Sequence, residues 1–243
     1  VFDFDTQGIQ MYVDGDWVRA NGTTLGADNG LGVATIMAVL DSDTIAHPAI
    51  EALFTIDEET GMTGAIGLKG GLLEGEILLN LDTEEDDEIG VGCAGGVDVT
   101  ASGSYHQIPA PNGQGYRIIV KGLQGGHSGM DIIKGLGNAN KMMNRLLAAN
   151  KDITHIASLA GGSLRNAIPR ESTATVVVKT QDISEFVLQM EKIQFNLVEE
   201  YRLLEPDLTI ETQKIDAPQM VMAPKDQTAF INAVYATHNG VYR

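Results

Sequence analysis

The chain has 243 residues, enough for one large domain or two modest ones at ~150 residues per domain, and its 43% apolar and 20% charged residues describe a folded globular protein. Sixteen Lys and Arg against 33 Asp and Glu leave a net charge of −17, which repels phosphate backbones and anionic lipid and argues against nucleic acid or a membrane surface as partner. The single cysteine, Cys93, cannot form an internal disulfide, and no apolar run approaches the ~20 residues of a bilayer span, so a cytoplasmic protein without a targeting segment is expected.

Residues 1–96 read as alternating strands and helices. The Gly-rich turn Gly26-Ala27-Asp28-Asn29-Gly30 opens a helix whose apolar positions Leu31, Ala34, Met37, Ala38 and Leu40 recur at three-and-four spacing. Ala52 to Ile56 and Glu76 to Leu81 are short apolar runs without a polar face, the pattern of strands buried on both sides, and a short helix at Thr63 to Leu68 lies between them. The class is therefore α/β, a mixed or parallel sheet with its chemistry at the carboxyl edge.

From Val97 the pattern changes. Gln114 to Val120 predicts a strand, Gly135 to Ala149 a helix, Ile153 to Leu159 and Ser172 to Lys179 two strands, Ile183 to Leu204 a helix and Asp207 to Glu211 a closing strand. The order β-α-β-β-α-β is the split ferredoxin-like α+β unit. Three segments result: an α/β domain at 1–96, the ferredoxin-like unit at 97–217, and the start of a further unit at 218–243, led by a helix at Asp226 to Ala236.

Asp28 sits in the Gly turn, Glu58 and Glu59 follow one expected strand, and Asp82 follows the other. Singly, Asp28 is a turn former, Glu58 and Glu59 a solvated helix start, and Asp82 an N-cap. Together, four carboxylates converging at strand ends repel one another unless cations neutralise them, which points to a divalent metal site. Adjacent glutamates suit such a site, because one can ligate metal while the other takes a proton from water that the metal has acidified.

Six segments, in this order, resemble the aminoacyl-histidine dipeptidases, the carnosinase-like branch of a di-zinc peptidase superfamily: Gly26 to Gly30, Asp57-Glu58-Glu59-Thr60-Gly61-Met62, Leu81-Asp82-Thr83-Glu84-Glu85, Cys93-Ala94-Gly95-Gly96, Gly125-Gly126-His127-Ser128-Gly129 and Gly161 to Pro169. The resemblance covers the whole chain and implies a catalytic metal-binding domain, partial here, at 1–96, interrupted by a lid and dimerisation domain at 97–217 and resumed at 218–243. It implies that Asp28 bridges two divalent metal ions, most simply zinc, with cobalt or manganese as alternatives. Glu59 would ligate one ion, Asp82 the other, and Glu58 would be the general base that readies a metal-bridging hydroxide. It also implies a cis peptide between Asp28 and Asn29, and a homodimer formed through the lid. His127 would reach the scissile carbonyl across that dimer, and Asn166 would contact substrate. Arg165 and Arg170 are candidates to clamp a substrate carboxylate, with a lid salt bridge as the other reading of each.

The implied activity is hydrolysis of Xaa-His dipeptides such as β-alanyl-histidine. The alternatives are a tripeptidase or N-acyl amino acid hydrolase with the same metal centre, or a catalytically inactive binding or dimerisation module. Relatives carry two further metal-ligating histidines, one in an upstream His-x-Asp motif and one late in the chain. His47, His106, His155 and His238 match neither context. The sequence therefore reads as an internal fragment of a longer enzyme, expected to be inactive alone and to bind zinc weakly.

Overall fold

The computed structural model describes residues 2–83, 87–92 and 95–241, so Glu84, Glu85, Cys93 and Ala94 of the quoted motifs lie outside the described residues. The chain divides after Val97 into two compact units. In the first, β1 (Met11–Asp14) and β2 (Trp17–Ala20) form an antiparallel hairpin closed by Gly15 and Asp16. Helix α1 (Gly30–Asp41) is capped by Asn29, whose side-chain oxygen accepts from the Gly32 N–H at 2.9 Å. Two short helices follow, α2 (Glu58–Gly61) and α3 (Thr63–Gly67).

The expected strands Ala52 to Ile56 and Glu76 to Leu81 are not formed. Their backbones run extended or irregular without a ladder, and Ile77, Leu78 and Leu79 stand about four-fifths exposed. A strand is held by the neighbours that satisfy its N–H and C=O groups, and an apolar run alone does not supply them. The run Ile77 to Leu79 keeps the composition of a buried strand without the burial.

The second unit is built on one four-stranded antiparallel sheet. After the short β3 (Gln107–Pro109) come β4 (Gly113–Lys121), helix α4 (Ala139–Ala149), β5 (Thr154–Gly161), β6 (Ser172–Lys179), helix α5 (Ile183–Tyr201) and β7 (Thr209–Ile215), in the sheet order β5-β6-β4-β7. This is the expected ferredoxin-like α+β arrangement, its four strands all antiparallel, within a fold that mixes helices and sheets. Tyr116, Ile118 and Val120 of β4 and Ala174, Val176 and Val178 of β6 point to one buried face. There they meet Met142, Met143, Leu146 and Leu147 of α4 and Phe186, Met190 and Leu197 of α5. The rings of Tyr116 and Phe186 pack with centroids 4.9 Å apart.

Helix α4 starts at Ala139 rather than at the expected Gly135, because Asn138 caps it by accepting from the Asn140 and Lys141 N–H groups. The closing strand runs later than expected, over Thr209–Ile215. A second ribbon pairs β3 with β8 (Met220–Met222), and α6 (Pro224–Ala236) packs on α4 and β5. Polar anchors hold α6 in place. Lys141 Nζ donates to the carbonyls of Val234, Tyr235 and Thr237, and buried Gln227 exchanges hydrogen bonds with the backbone of Thr154 and Ile156. Among the described residues no helix is long and apolar enough to cross a membrane.

Phe186→Ala removes a ring with no solvent exposure and should destabilise the second unit by about 3 to 5 kcal/mol. Val13→Ala in the exposed hairpin should stay within about 0.5 kcal/mol of the parent. Urea unfolding of the two variants measures both.

Candidate functional site

In the first unit, the carboxylates are aimed by two local turns. The Asp28–Asn29 peptide is cis, as the resemblance implies, and it stands directly before the cap of α1. Asp57 takes the left-handed conformation, φ 61°, which an aspartate tolerates. Its side chain accepts from the hydroxyls of Thr60 and Thr63, the latter at 2.7 Å, and its carbonyl accepts from the Met62 N–H at 2.6 Å. Glu58 and Glu59 therefore leave a turn tied at both ends.

The Glu59 carboxyl is held above the ordinary carboxylate range. The neighbouring Glu58 charge is the largest cause, followed by the charge of Asp28, some desolvation, a hydrogen-bonding approach of Asp28, and the charge of Asp82. Glu58, Asp28 and Asp82 thus all act on Glu59, although the sequence separates Asp28 and Asp82 from it. Among the described residues no three His, Cys, Asp or Glu side chains close round a point that could hold a metal ion. The donors are all oxygen, which suits hard divalent cations directly and zinc once imidazole joins them.

In the second unit, His127 lies on the segment between β4 and α4. Gly125 and Gly126 take φ of 70° and 151°, and a Cβ on Gly125 would stand 2.4 Å from the Arg170 stem, so side chains are excluded there. Beyond them the chain pairs with the Gly161 to Pro169 loop. His127 bridges to Ala167, the Ser128 N–H donates to the Asn166 carbonyl at 2.8 Å, and the Ile168 N–H donates to the Gly126 carbonyl at 2.8 Å. His127 and Asn166 are thereby neighbours, both exposed.

The imidazole is oriented by its own turn. Nδ1 accepts from the N–H groups of Gly129 at 3.0 Å and Met130 at 3.2 Å, so in the neutral ring the proton is on Nε2, facing away from the turn. Asp131 closes the turn by accepting from the His127 N–H at 2.7 Å and pairing with Lys134 at 2.6 Å. Asp131 was not singled out in the sequence, although an acid four residues beyond a glycine-flanked histidine is a turn-closing signal. Beside the loop is an open recess of about 580 Å³ lined by Ser128, Asn140, Arg165, Ile168, His238 and Asn239 among others. Arg165 is salt-bridged to Asp98, and Arg170 packs its stem under Gly125.

The Lys134 ammonium and the His127 N–H hold Asp131 below the usual aspartate range. A depressed carboxyl stabilises the turn above its unfolded value of ~3.9, and that contribution is lost as pH falls through the lower folded value. The Asp131 carboxyl ¹³C resonance should accordingly titrate with its midpoint below the ordinary aspartate value of ~3.9. In Asp131→Ala the His127 amide resonance should be displaced already at neutral pH, its acceptor being gone.

Residues 118–203 match the peptidase dimerisation domain. Over 246 aligned positions the chain is 42% identical to the cytosol non-specific dipeptidase of Escherichia coli, covering all of this chain and 51% of that protein. The crystal structure of the aminoacylhistidine dipeptidase from Vibrio alginolyticus matches at 43% identity with a TM-score of 0.71, covering 100% of this chain and 50% of that one. An uncharacterized Bacillus subtilis protein, YqjE, is 33% identical over 81 residues, covering 32% of this chain and 22% of that protein. The chain spans about half the length of the two dipeptidases. Residues 118–203 are thus similar to a peptidase dimerisation domain, and along its whole length the chain is similar to the cytosol non-specific and aminoacylhistidine dipeptidases.

Proposed function

We propose that the chain contributes the carboxylate half of a metal centre and the lid of a metal-dependent dipeptidase that cleaves Xaa-His dipeptides such as β-alanyl-histidine. The observation that carries this reading is the Glu59 carboxyl, held among Glu58, Asp28 and Asp82 in a cluster whose repulsion a cation relieves. The names of the E. coli and Vibrio relatives support the reaction class. In this reading residues 1–96 bind metal, 97–217 are the lid, and 218–243 lead back to the first domain. Asp28, Glu59 and Asp82 would hold two divalent ions, zinc first among the candidates.

When bound, the metal pair supplies polarisation of the scissile carbonyl and acidification of the attacking water. Glu58 takes the proton of that water and returns it to the amine nitrogen as the C–N bond breaks. His127 donates its Nε2 proton in a hydrogen bond to the carbonyl oxygen as negative charge grows there, with Nδ1 already occupied by the turn. Asn166, next to His127, holds the peptide. Arg165 and Arg170 are available to the terminal carboxylate, Arg165 by exchanging Asp98 for substrate. Pairing of two copies through the dimerisation domain brings His127 to the partner's metal site. A cytosolic setting, the one named for the E. coli relative, fits the reading.

In the complete natural polypeptide that carries this sequence, Glu58→Gln should keep its metal content and lose turnover of β-alanyl-histidine by ~10² or more, because a proton acceptor goes and no ligand does. Asp28→Asn should abolish calorimetric binding of zinc or manganese. Loss of metal in Glu58→Gln would exchange the roles given to Glu58 and Glu59. Faster cleavage of a tripeptide or an acetyl-amino acid than of β-alanyl-histidine would move the substrate class to the neighbouring hydrolases.

A further inference from the structure

The segment from Gln124 to Gly137 carries His127 and contains no α-helix, and its one strand-like contact is the single bridge at His127. Its outer side is held by the pairing with Asn166 to Ile168. Its inner side is held by one side chain from far along the sequence. Glu205, just beyond α5, is 2% exposed. Its Oε2 accepts from the Gln124 N–H at 2.8 Å and its Oε1 accepts from the Gly137 N–H at 2.7 Å. These are the first and last residues of the segment.

Glu205 is itself fixed. Its N–H donates to the Tyr201 carbonyl at 2.7 Å and its carbonyl accepts from the Leu208 N–H at 3.1 Å, while the Gln124 side chain donates to the Leu204 carbonyl. The carboxylate therefore sits in the turn tied to the end of the 19-residue helix α5 and reaches across to both ends of the loop. Placing such a group in the interior is costly, and the cost is offset only when its oxygens find donors. Here each oxygen has one backbone donor, a pair of acceptors that a carboxylate offers and an amide or an alkyl group does not.

We infer that Glu205 is a positioning residue for His127, a buried clamp that sets both ends of the loop presenting the imidazole. The clamp defines the span from Gln124 to Gly137, the turn closed by Asp131 defines the ring within that span, and the pairing with Asn166 sets the third side. A catalytic donor must be held within a fraction of an ångström of its productive place, and a loop whose own regular structure is one 3-10 turn at Ile132–Lys134 has that rigidity only if something else supplies it.

The inference rests on the role given to His127 above, and its test separates the two. In the complete natural polypeptide, Glu205→Gln, His127→Ala and the double variant are compared. Glu205→Gln should lower kcat by ~10 to 100-fold with little change in KM, and should cost nothing further in the His127→Ala background. The ring ¹⁵N resonances of His127 should move in Glu205→Gln. An unchanged kcat in Glu205→Gln, beside a depressed one in His127→Ala, would overturn the inference. An equal loss from Glu205→Gln in both backgrounds would also overturn it, since Glu205 would then act through something other than His127. A normal kcat in His127→Ala removes the catalytic reading instead, and the ¹⁵N spectrum then decides the clamp, an unmoved His127 in Glu205→Gln overturning it. Should Glu205→Gln fail to fold, the unmodified chain decides: the Gln124 and Gly137 amides should exchange with solvent at least 100-fold more slowly than the Gly129 and Met130 amides, and exchange at equal rates would overturn the clamp.

Discussion

Strand β4 is hydrogen-bonded on both edges, to β6 over Gly113 to Val120 and to β7 over Gly115 to Lys121, and this double ladder decides where the rest of the second unit stands. With register fixed on two sides, Tyr116, Ile118 and Val120 have one face available to them, and the helices that cover that face must bring α4 and α5 side by side. The segment that follows β4 therefore leaves the sheet beside the end of α5. Glu205 is close to Gln124 and Gly137 for that reason, across separations of 81 and 68 residues. The position of His127 is a consequence of strand pairing before it is a consequence of anything in its own motif.

The first unit works under a different constraint. It has little buried surface, Gly32 being the only buried residue of α1, and its shape near the carboxylates comes from short-range hydrogen bonds. Asp57 orders the turn before Glu58 and Glu59, Asn29 orders the start of α1 after Asp28, and Glu51 accepts from the Glu74 and Gly75 N–H groups. Such contacts fix backbone direction and leave the charges of Glu58, Glu59 and Asp28 to oppose one another. Local order of this kind sets side-chain direction without neutralising charge, and the relief has to come from a bound cation or from protons.

Legibility in the sequence followed the physical source of each element. β6 lies at Ser172 to Lys179 as read, and α5 starts at Ile183 as read, because each has its own period and a sharp start. The start of α4 was misplaced by four residues: Gly135 and Gly137 resemble a helix entrance, while the cap belongs to Asn138, which only the backbone donors of Asn140 and Lys141 reveal. Ala52 to Ile56 and Glu76 to Leu81 failed for the opposite reason, since apolar composition signals burial and pairing is decided by neighbours. The β1–β2 hairpin was not expected, although Asp14-Gly15 between Tyr12-Val13 and Trp17-Val18 is a hairpin signal. In the candidate site the motifs named Asp28, Glu58, Glu59, Asp82 and His127, whereas Asp131 and Glu205 carry no motif, because a residue that accepts from backbone N–H groups is defined by the path of the chain around it.

The two units thus use carboxylates in opposite ways. Glu205 and Asp131 are satisfied by backbone donors, Asp131 with an ammonium beside it, and they spend their charge on holding a loop. Glu59 lies among other acids and is pushed up by them. A carboxylate whose acceptor capacity is filled by the fold is structural, and one whose neighbours raise its proton affinity is available to a cation or to a proton in transit. By that criterion Glu205 and Asp131 belong to the fold, and Glu59 is the acid whose proton affinity its neighbours raise.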